Sequence, residues 1–193
     1  MADIKKELKR KILHLVVILY LPIYLILAKL FNHTISILIL TFALIFFLVL
    51  DFFRIKYNLK IPFFHSLYRE HEKTKFGGHV YLALGLTIAF AFLEFRIALT
   101  VLLMAIFGDI TAALIGIKFG KHWLKKSPDK AWEGILAEFF VDLLIAILVL
   151  NNFLVSVSMA FVATFVETKL IIDDNFSIPV FTGIIGQILI SII

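Results

Sequence analysis

The chain has 193 residues, of which 62% are hydrophobic; it contains no cysteine and carries a net charge of +5. Soluble globular domains are usually about 45–50% apolar, so this composition excludes an ordinary soluble domain and indicates an integral membrane protein. Its length corresponds to one domain, residues 1–193. Without cysteine, disulfides and thiolate metal sites are excluded.

Apolar runs along the chain predict the fold class. A helix needs about 20 apolar residues to cross a bilayer. Seven runs are candidates, and we therefore predict an all-α, polytopic transmembrane bundle of about seven spans. The predicted spans are 12–31, 34–53, 79–95, 97–118, 134–151, 153–171 and 178–193.

The first run has a charged segment before it, as a signal peptide does. No small-residue cleavage site follows Ile12–Leu27 before Lys29, so we interpret this run as a retained helix.

The basic residues predict the orientation. With seven spans, 17 of the 19 Lys and Arg residues fall on one side, and only Lys29 and Arg96 fall on the other. The positive-inside rule makes the lysine-rich side cytoplasmic, together with the N-terminus. Acids and histidines collect on the same side, which that rule does not explain. We therefore predict an active site that faces the cytoplasm.

Before the first span, Arg10 and His14 lie four residues apart and share one helical face. Basic residues here are also typical headgroup anchors, whereas a histidine at the interface is neither a good anchor nor a good lipid-facing residue. His14 is therefore a candidate catalytic residue.

The loop before the third span, REHEKTKFGGHVY, combines charge with adjacent glycines. Backbone amides of Gly77 and Gly78 could approach phosphate oxygens, and Lys73 and Lys75 would add positive charge. A solvated charged loop is the alternative interpretation.

Asp109 interrupts the fourth apolar run. Twelve residues after Ile97, at about 1.5 Å per residue, it lies about 18 Å into the span. An ionised carboxylate in lipid costs about 2.5–3.5 kcal/mol, so it should face the bundle interior, a cavity or a cation. A buried polar pair is the alternative. Small residues recur every four positions around it and predict close helix packing; they are Gly108, Ala112, Gly116 and Gly120.

The loop that follows holds Lys121 and Lys130 and ends in Trp132-Glu133-Gly134. Trp132 suits the membrane interface. Glu138 and Asp142 then lie four residues apart on the fifth span, so they share a face and could line the same cavity as Asp109.

A second acidic cluster precedes the last span. Glu167, Asp173 and Asp174 are followed by Asn175, and such hard oxygen donors suit Mg²⁺. A helix-end turn with an Asx cap is the alternative for the adjacent Asp residues.

These stretches resemble a known set of membrane enzymes. The segment GDITAALIGIKFGKHWL, with KSPDKAWEG after it, is similar to a signature shared by the CTP-dependent lipid kinases and the phosphatidate cytidylyltransferases. The kinases include dolichol kinase, phytol kinase and the yeast-type diacylglycerol kinase. ELKRKILH, EKTKFGGHVYLALG and ETKLIIDDNFSIP resemble further kinase motifs. Glu138 and Asp142 are not expected from the family pattern.

The resemblance implies a CTP-dependent kinase acting on a lipid hydroxyl, with Mg²⁺ as cofactor and CTP as co-substrate. A cytidylyltransferase that makes a CDP-lipid and pyrophosphate is the alternative, and a small ion-coupled transporter is a third. The implied catalytic residues are His14, Asp109 and Asp174, and the implied metal ligands are Asp109, Glu167, Asp173 and Asp174. The implied nucleotide-binding residues are Arg10, Lys73, Lys75, Gly77, Gly78, Lys121, Lys130, Trp132, Glu133 and Gly134.

The same hypothesis predicts the partners, which are a membrane lipid, CTP and the bilayer, with no nucleic acid. It is compatible with a homodimer and places the protein in a prokaryotic cell membrane.

Overall fold

The computed structural model describes residues 17–59, 74–124, 130–169 and 173–193. Arg10, His14 and Lys73, which the sequence analysis assigned to the site, lie outside these residues. The described chain is helical, and within it the extended pairing is limited to an isolated bridge between Trp123 and Ala131. The predicted all-α class is confirmed.

Seven helices make up the described residues. A short 3-10 turn, Val17–Leu19, precedes the first of them. The helices are α1 Tyr20–Leu30, α2 His33–Tyr57, α3 Gly78–Phe92, α4 Phe95–Phe119, α5 Trp132–Leu150, α6 Phe153–Lys169 and α7 Asp174–Ile192.

Helices α2 to α7 coincide with predicted spans to within four residues, whereas α1 begins at Tyr20 and the start of the first predicted span, 12–31, lies outside the described residues. Among the described residues, α2, α4 and α7 are long and apolar enough to cross a membrane by themselves. Val17–Leu30, α3 and most of α6 are shorter apolar helices. The acids inside α5 set it apart from these, since Glu133, Glu138 and Asp142 all fall within it.

Polar residues set the helix boundaries. The Asn32 side chain caps α2 by accepting a hydrogen bond from the Ile35 N–H at 2.8 Å. Asn58 and Asn151 end α2 and α5 in the left-handed conformation, with φ of 49° and 53°. Asparagine tolerates that conformation better than other non-glycine residues, which makes both turns tight.

The helices pack around an apolar core. Its fully buried members come from α3, α4, α5 and α6, and α5 packs most extensively against α6 and against the second half of α4. By contrast, α2 exposes much of its length and has large exposed phenylalanines, as a lipid-facing helix does. The largest core side chains are Leu82, Leu86, Phe90, Ile97, Leu102, Met104, Ile106 and Met159.

Two helices change pitch inside the bundle. In α4 the segment Met104–Gly108 is π-helical, and in α7 the segment Ile178–Thr182 is π-helical. π-turns within α-helices are frequent at functional sites because they re-aim the side chains that follow. The turn in α4 ends immediately before Asp109.

Candidate active site

Carboxylates from four helices converge at one end of the bundle. Asp109 begins the last part of α4, Glu138 and Asp142 lie on α5, Glu167 lies near the end of α6, and Asp174 begins α7. Asp109 is close enough to Glu138, Asp142 and Glu167 to interact with each electrostatically. The three acids therefore lie near one another, and that Glu138 and Asp142 line the same cavity as Asp109 stays a prediction.

Lys130 connects two of these helices. Its Nζ lies 2.7 Å from Glu167 Oε1 and 2.9 Å from Asp174 Oδ2, and it also donates to the Glu167 carbonyl oxygen at 3.1 Å. The Lys130 side chain is 19% exposed. One ammonium thus joins the loop before α5 to the end of α6 and the start of α7.

The charge on Lys130 is set by these neighbours. Burial alone lowers the pKa of an ammonium, but the carboxylates of Glu167 and Asp174 outweigh it and raise the pKa of Lys130 above its ordinary 10.5. Lys130 is therefore a permanent cation over the physiological range.

The loop that carries Lys130 is held by backbone pairing. Leu124 N–H donates to Lys130 O, and Trp132 N–H donates to His122 O, each at 2.9 Å. These bonds fix Lys130 next to α5. The two described ends of the loop between α4 and α5 are therefore hydrogen-bonded to each other.

A cleft opens beside this loop at the end of α4. Its volume is 450 Å³, and Lys118, Phe119, Gly120, Lys121 and Glu133 line it. The two lysines give it positive charge, which suits an anionic ligand such as phosphate. The Gly120 N–H already donates to Gly116 O at 2.9 Å.

Glu133 is oriented by a histidine on the facing strand of the loop. Its Oε1 lies 2.7 Å from His122 Nδ1. The bond to His122, with backbone N–H groups nearby, lowers the pKa of Glu133 to about 2. Glu133 precedes the apolar run of α5 and is thus an ionised carboxylate at the mouth of the cleft.

Gly134 has a packing contact that the sequence did not reveal. A Cβ at this position would lie 2.4 Å from the Ala112 carbonyl oxygen and 3.2 Å from Gly116 Cα. The small-residue stripe on α4 therefore packs against α5, as predicted. Whether Gly134 also binds nucleotide stays a prediction. Trp132 is 53% exposed, which fits an interfacial position.

Asp173 and Asp174 have different surroundings. Asp173 is the N-cap of α7, and its Oδ1 accepts hydrogen bonds from the Asn175 N–H at 3.1 Å and the Asn175 side-chain amide at 2.9 Å. The alternative interpretation, an Asx cap, therefore holds for Asp173. Asp174 Oδ1 accepts from the same two Asn175 groups, at 3.0 and 3.2 Å, while its Oδ2 lies 2.9 Å from Lys130 Nζ. Both acids remain candidate metal ligands.

The Gly77–Gly78 segment is anchored by residues that the sequence analysis missed. Asp51 and Arg54 on α2 are 2% and 6% exposed and form an ion pair. Gly77 N–H donates to Asp51 Oδ2 at 2.8 Å, and Arg54 Nη2 donates to Lys75 O at 2.7 Å. The Gly77 amide therefore has a protein partner, and neither glycine has a positive φ.

One signal in the sequence could have revealed this pair. Asp51 follows an unbroken apolar run, and Arg54 lies three residues later on the same face. An acid at the end of a span needs a partner, and the nearest candidate is that arginine.

The donors present fit Mg²⁺ in their chemistry. Asp109, Glu167 and Asp174 are hard oxygen ligands from three helices. Among the described residues, however, no three Asp, Glu or His side chains are arranged to hold an ion unaided. Mg²⁺ usually takes one or two carboxylates and completes its shell with water and substrate phosphates. The residues therefore suit an ion that arrives with a nucleotide.

Apolar helices that enclose carboxylates beside a lysine-lined cleft define a membrane protein with a site suited to phosphate chemistry. The chain belongs to the cytidylyltransferase family, which matches it over residues 1–193.

One curated relative carries a more specific description. The chain is 30% identical over 113 residues to "CTP-dependent diacylglycerol kinase 1" of Saccharomyces cerevisiae. That alignment covers 54% of this chain and 38% of the relative, so it spans less than two fifths of the relative's length. No solved structure matches the chain.

Proposed function

We propose that the chain is a CTP-dependent kinase that phosphorylates the hydroxyl of a membrane lipid alcohol and releases CDP. The observation that carries the proposal is the position of Lys130 between Glu167 and Asp174, in electrostatic reach of the acids around Asp109. Phosphoryl transfer needs a cation that binds the phosphates and, at the same place, carboxylates that hold a metal ion. It needs little else from the protein.

Each group has a role in this proposal. Lys118 and Lys121, on the 450 Å³ cleft, bind the phosphates of CTP, and Lys130 holds the γ-phosphate end. Asp109, Glu167 and Asp174 would hold Mg²⁺, with Asp173 as a further candidate. When bound, Mg²⁺ neutralises charge on the phosphates. Glu133, held by His122, closes the mouth of the cleft.

The substrate follows from the position of the site. The acids lie within apolar helices, so the acceptor reaches them from the bilayer. Its hydroxyl oxygen attacks the γ-phosphorus, the bond between that phosphorus and the β–γ bridging oxygen breaks, and CDP leaves. The relative's name makes a diacylglycerol the first alcohol to test. The lysine-rich side, by the positive-inside rule, faces the cytoplasm, where CTP is available.

A second function has its own support. The family is described by its cytidylyltransferases, in which a lipid phosphate would attack the α-phosphorus of CTP and release pyrophosphate. The same cleft and carboxylates would serve that reaction. The lipid product distinguishes the two.

Double labelling tests the proposal. The purified protein in nanodiscs is supplied with Mg²⁺, 1,2-dioleoylglycerol or dioleoylphosphatidate, and CTP labelled in either the α- or the γ-phosphate. A kinase transfers only the γ-label, and only to the diacylglycerol. Transfer of the α-label to phosphatidate would instead establish the cytidylyltransferase. Absence of both products, with polyprenol and phytol also tested, would reject the proposal.

A further inference from the structure

Two buried carboxylates on α5 have acceptor atoms without donors. Asp142 is fully buried and Glu138 is 1% exposed. In the described part of the chain, three of their carboxylate oxygens lack a hydrogen-bond partner. They are Oδ1 and Oδ2 of Asp142 and Oε2 of Glu138. A buried polar atom left unpaired costs about 1–3 kcal/mol, and such atoms in native proteins usually have a catalytic, ion or water explanation.

The facing helix makes room for the Asp142 carboxylate. A Cβ on Gly108 would lie 2.4 Å from Asp142 Oδ1 and 3.1 Å from its Cγ. Any side chain at this position would therefore displace the Asp142 carboxylate. Gly108 also closes the π-helical segment of α4, and the next residue is Asp109, which is half-buried rather than buried. The residue of α4 that faces Asp142 is therefore the chain neighbour of Asp109, and a ligand at Asp109 lies close to Asp142.

Ion pairing does not explain the two acids. The titratable groups near them are each other, Asp109 on α4, Glu167 on α6 and, for Glu138, Lys130 before α5. Lys130 already contacts Glu167 and Asp174. A neutral hydrogen-bond donor is the ligand that these acceptors lack.

We infer that Asp142, with Glu138 one turn nearer the cytoplasm, accepts a hydrogen bond from the hydroxyl of the lipid substrate. This inference rests on the proposed kinase function, because that reaction brings a hydroxyl to the neighbourhood of Asp109. During transfer the O–H bond breaks and its proton passes to the carboxylate, while the new O–P bond forms and CDP departs. Glu138 shares the acceptor role at the side nearer Lys130.

The binding test uses two lipids that differ only in the donor. The purified protein in nanodiscs, without CTP, is titrated with 1,2-dioleoylglycerol and with its 3-O-methyl ether. Because only the alcohol can donate a hydrogen bond to a carboxylate, we expect the wild type to bind the alcohol about tenfold or more tightly than the ether. Asp142→Leu replaces both oxygens by methyl groups at the same branch point and should abolish the preference without lowering the melting temperature.

A second variant separates binding from proton transfer. Asp142→Asn keeps a carbonyl acceptor but cannot take the proton. We expect it to keep a preference for the alcohol, while γ-phosphate transfer falls about 100-fold or more. A purely structural role for Asp142 would not separate these two measurements. Glu94→Gln is the matched control, since Glu94 is exposed at the opposite end of the bundle.

The outcomes are distinguishable. If Asp142→Leu keeps the preference for the alcohol, or Asp142→Asn keeps wild-type transfer, the inference is overturned. A wild type that phosphorylates diacylglycerol but binds alcohol and ether equally overturns the inference and leaves the kinase function intact. A wild type that prefers the alcohol but makes no lipid phosphate supports the subsite and rejects the kinase.

Discussion

Lys130 Nζ and Asp174 Oδ2 lie 2.9 Å apart although the two residues are separated by 44 positions in the chain. The contact joins the loop before α5 to the first turn of α7. Glu167, on α6, binds the same ammonium, so one partly buried cation connects three segments of the proposed nucleotide site.

Removing that cation should weaken both folding and nucleotide binding. In Lys130→Met the carboxylates of Glu167 and Asp174 lose the ammonium that they share, and breaking a buried ion pair on one side costs about 3–5 kcal/mol. Because Lys130 is 19% exposed, we expect the lower end of that range or somewhat less. Melting temperature and the Kd for CTP are the measurements. Lys121→Met, on the open cleft, should weaken CTP binding while leaving the melting temperature unchanged.

The contribution of Lys130 to the stability of the fold should decrease at high pH. Its pKa in the folded protein lies above the ordinary 10.5, so its contribution to stability is complete below that value. It is lost as the pH rises through the folded-state pKa. The difference in melting temperature between wild type and Lys130→Met should therefore be constant from about pH 8 to about pH 9.5 and shrink above about pH 10.5. A difference that grows on the alkaline side would contradict the assigned ion pairs.

The contact between α4 and α5 can be tested with two glycines. Gly134→Ala places a Cβ 2.4 Å from the Ala112 carbonyl oxygen, a backbone atom that cannot move aside alone. We expect a loss of about 1–3 kcal/mol, measured by thermal or denaturant unfolding in detergent. At Gly116 the nearest atom would be 3.8 Å away, an ordinary contact, so Gly116→Ala is the matched control and should be tolerated. Equal losses at both positions would contradict the packing described.

Much of the fold follows from the sequence, because hydrophobic runs report on the bilayer directly. The predicted spans fall on the seven described helices, three of which are long and apolar enough to cross a membrane by themselves. The glycine and alanine stripe on α4 correctly predicts a close helix contact. The π-helical turns were not predictable, since they depend on packing rather than on local residue preference. Asp109 stands out because a charge inside an apolar run is rare.

The sequence did not predict which of the site residues contact one another. Lys130 was one of several lysines in a loop, and its selection of Glu167 and Asp174 depends on how α6 and α7 are rotated. Asp173 and Asp174 are adjacent, and each accepts hydrogen bonds from Asn175, while Asp174 also contacts Lys130. The contact with Lys130 depends on how α7 begins, and the sequence left the role of both acids open.

The Asp51–Arg54 pair gives a further prediction. Asp51→Ala removes the carboxylate that pairs with the buried Arg54 and also the acceptor of the Gly77 N–H, so we expect a loss of about 3–5 kcal/mol. The double variant Asp51→Ala with Arg54→Met removes the guanidinium charge as well. It should be more stable than Asp51→Ala alone, and a double-mutant cycle on unfolding free energies measures the coupling. Additive effects would mean that the two side chains do not interact.

The measurement that tests the central claim most directly is γ-phosphate transfer and CTP binding by Asp109→Asn. The substitution keeps the size and polarity of the side chain and removes its charge. If Asp109 holds the metal that accompanies CTP, the variant folds with an unchanged or higher melting temperature, loses the Mg²⁺-dependent gain in CTP affinity and transfers almost no phosphate to the lipid. Near wild-type transfer at the same Mg²⁺ concentration would contradict the account, as would a fall in stability with the Mg²⁺ response intact.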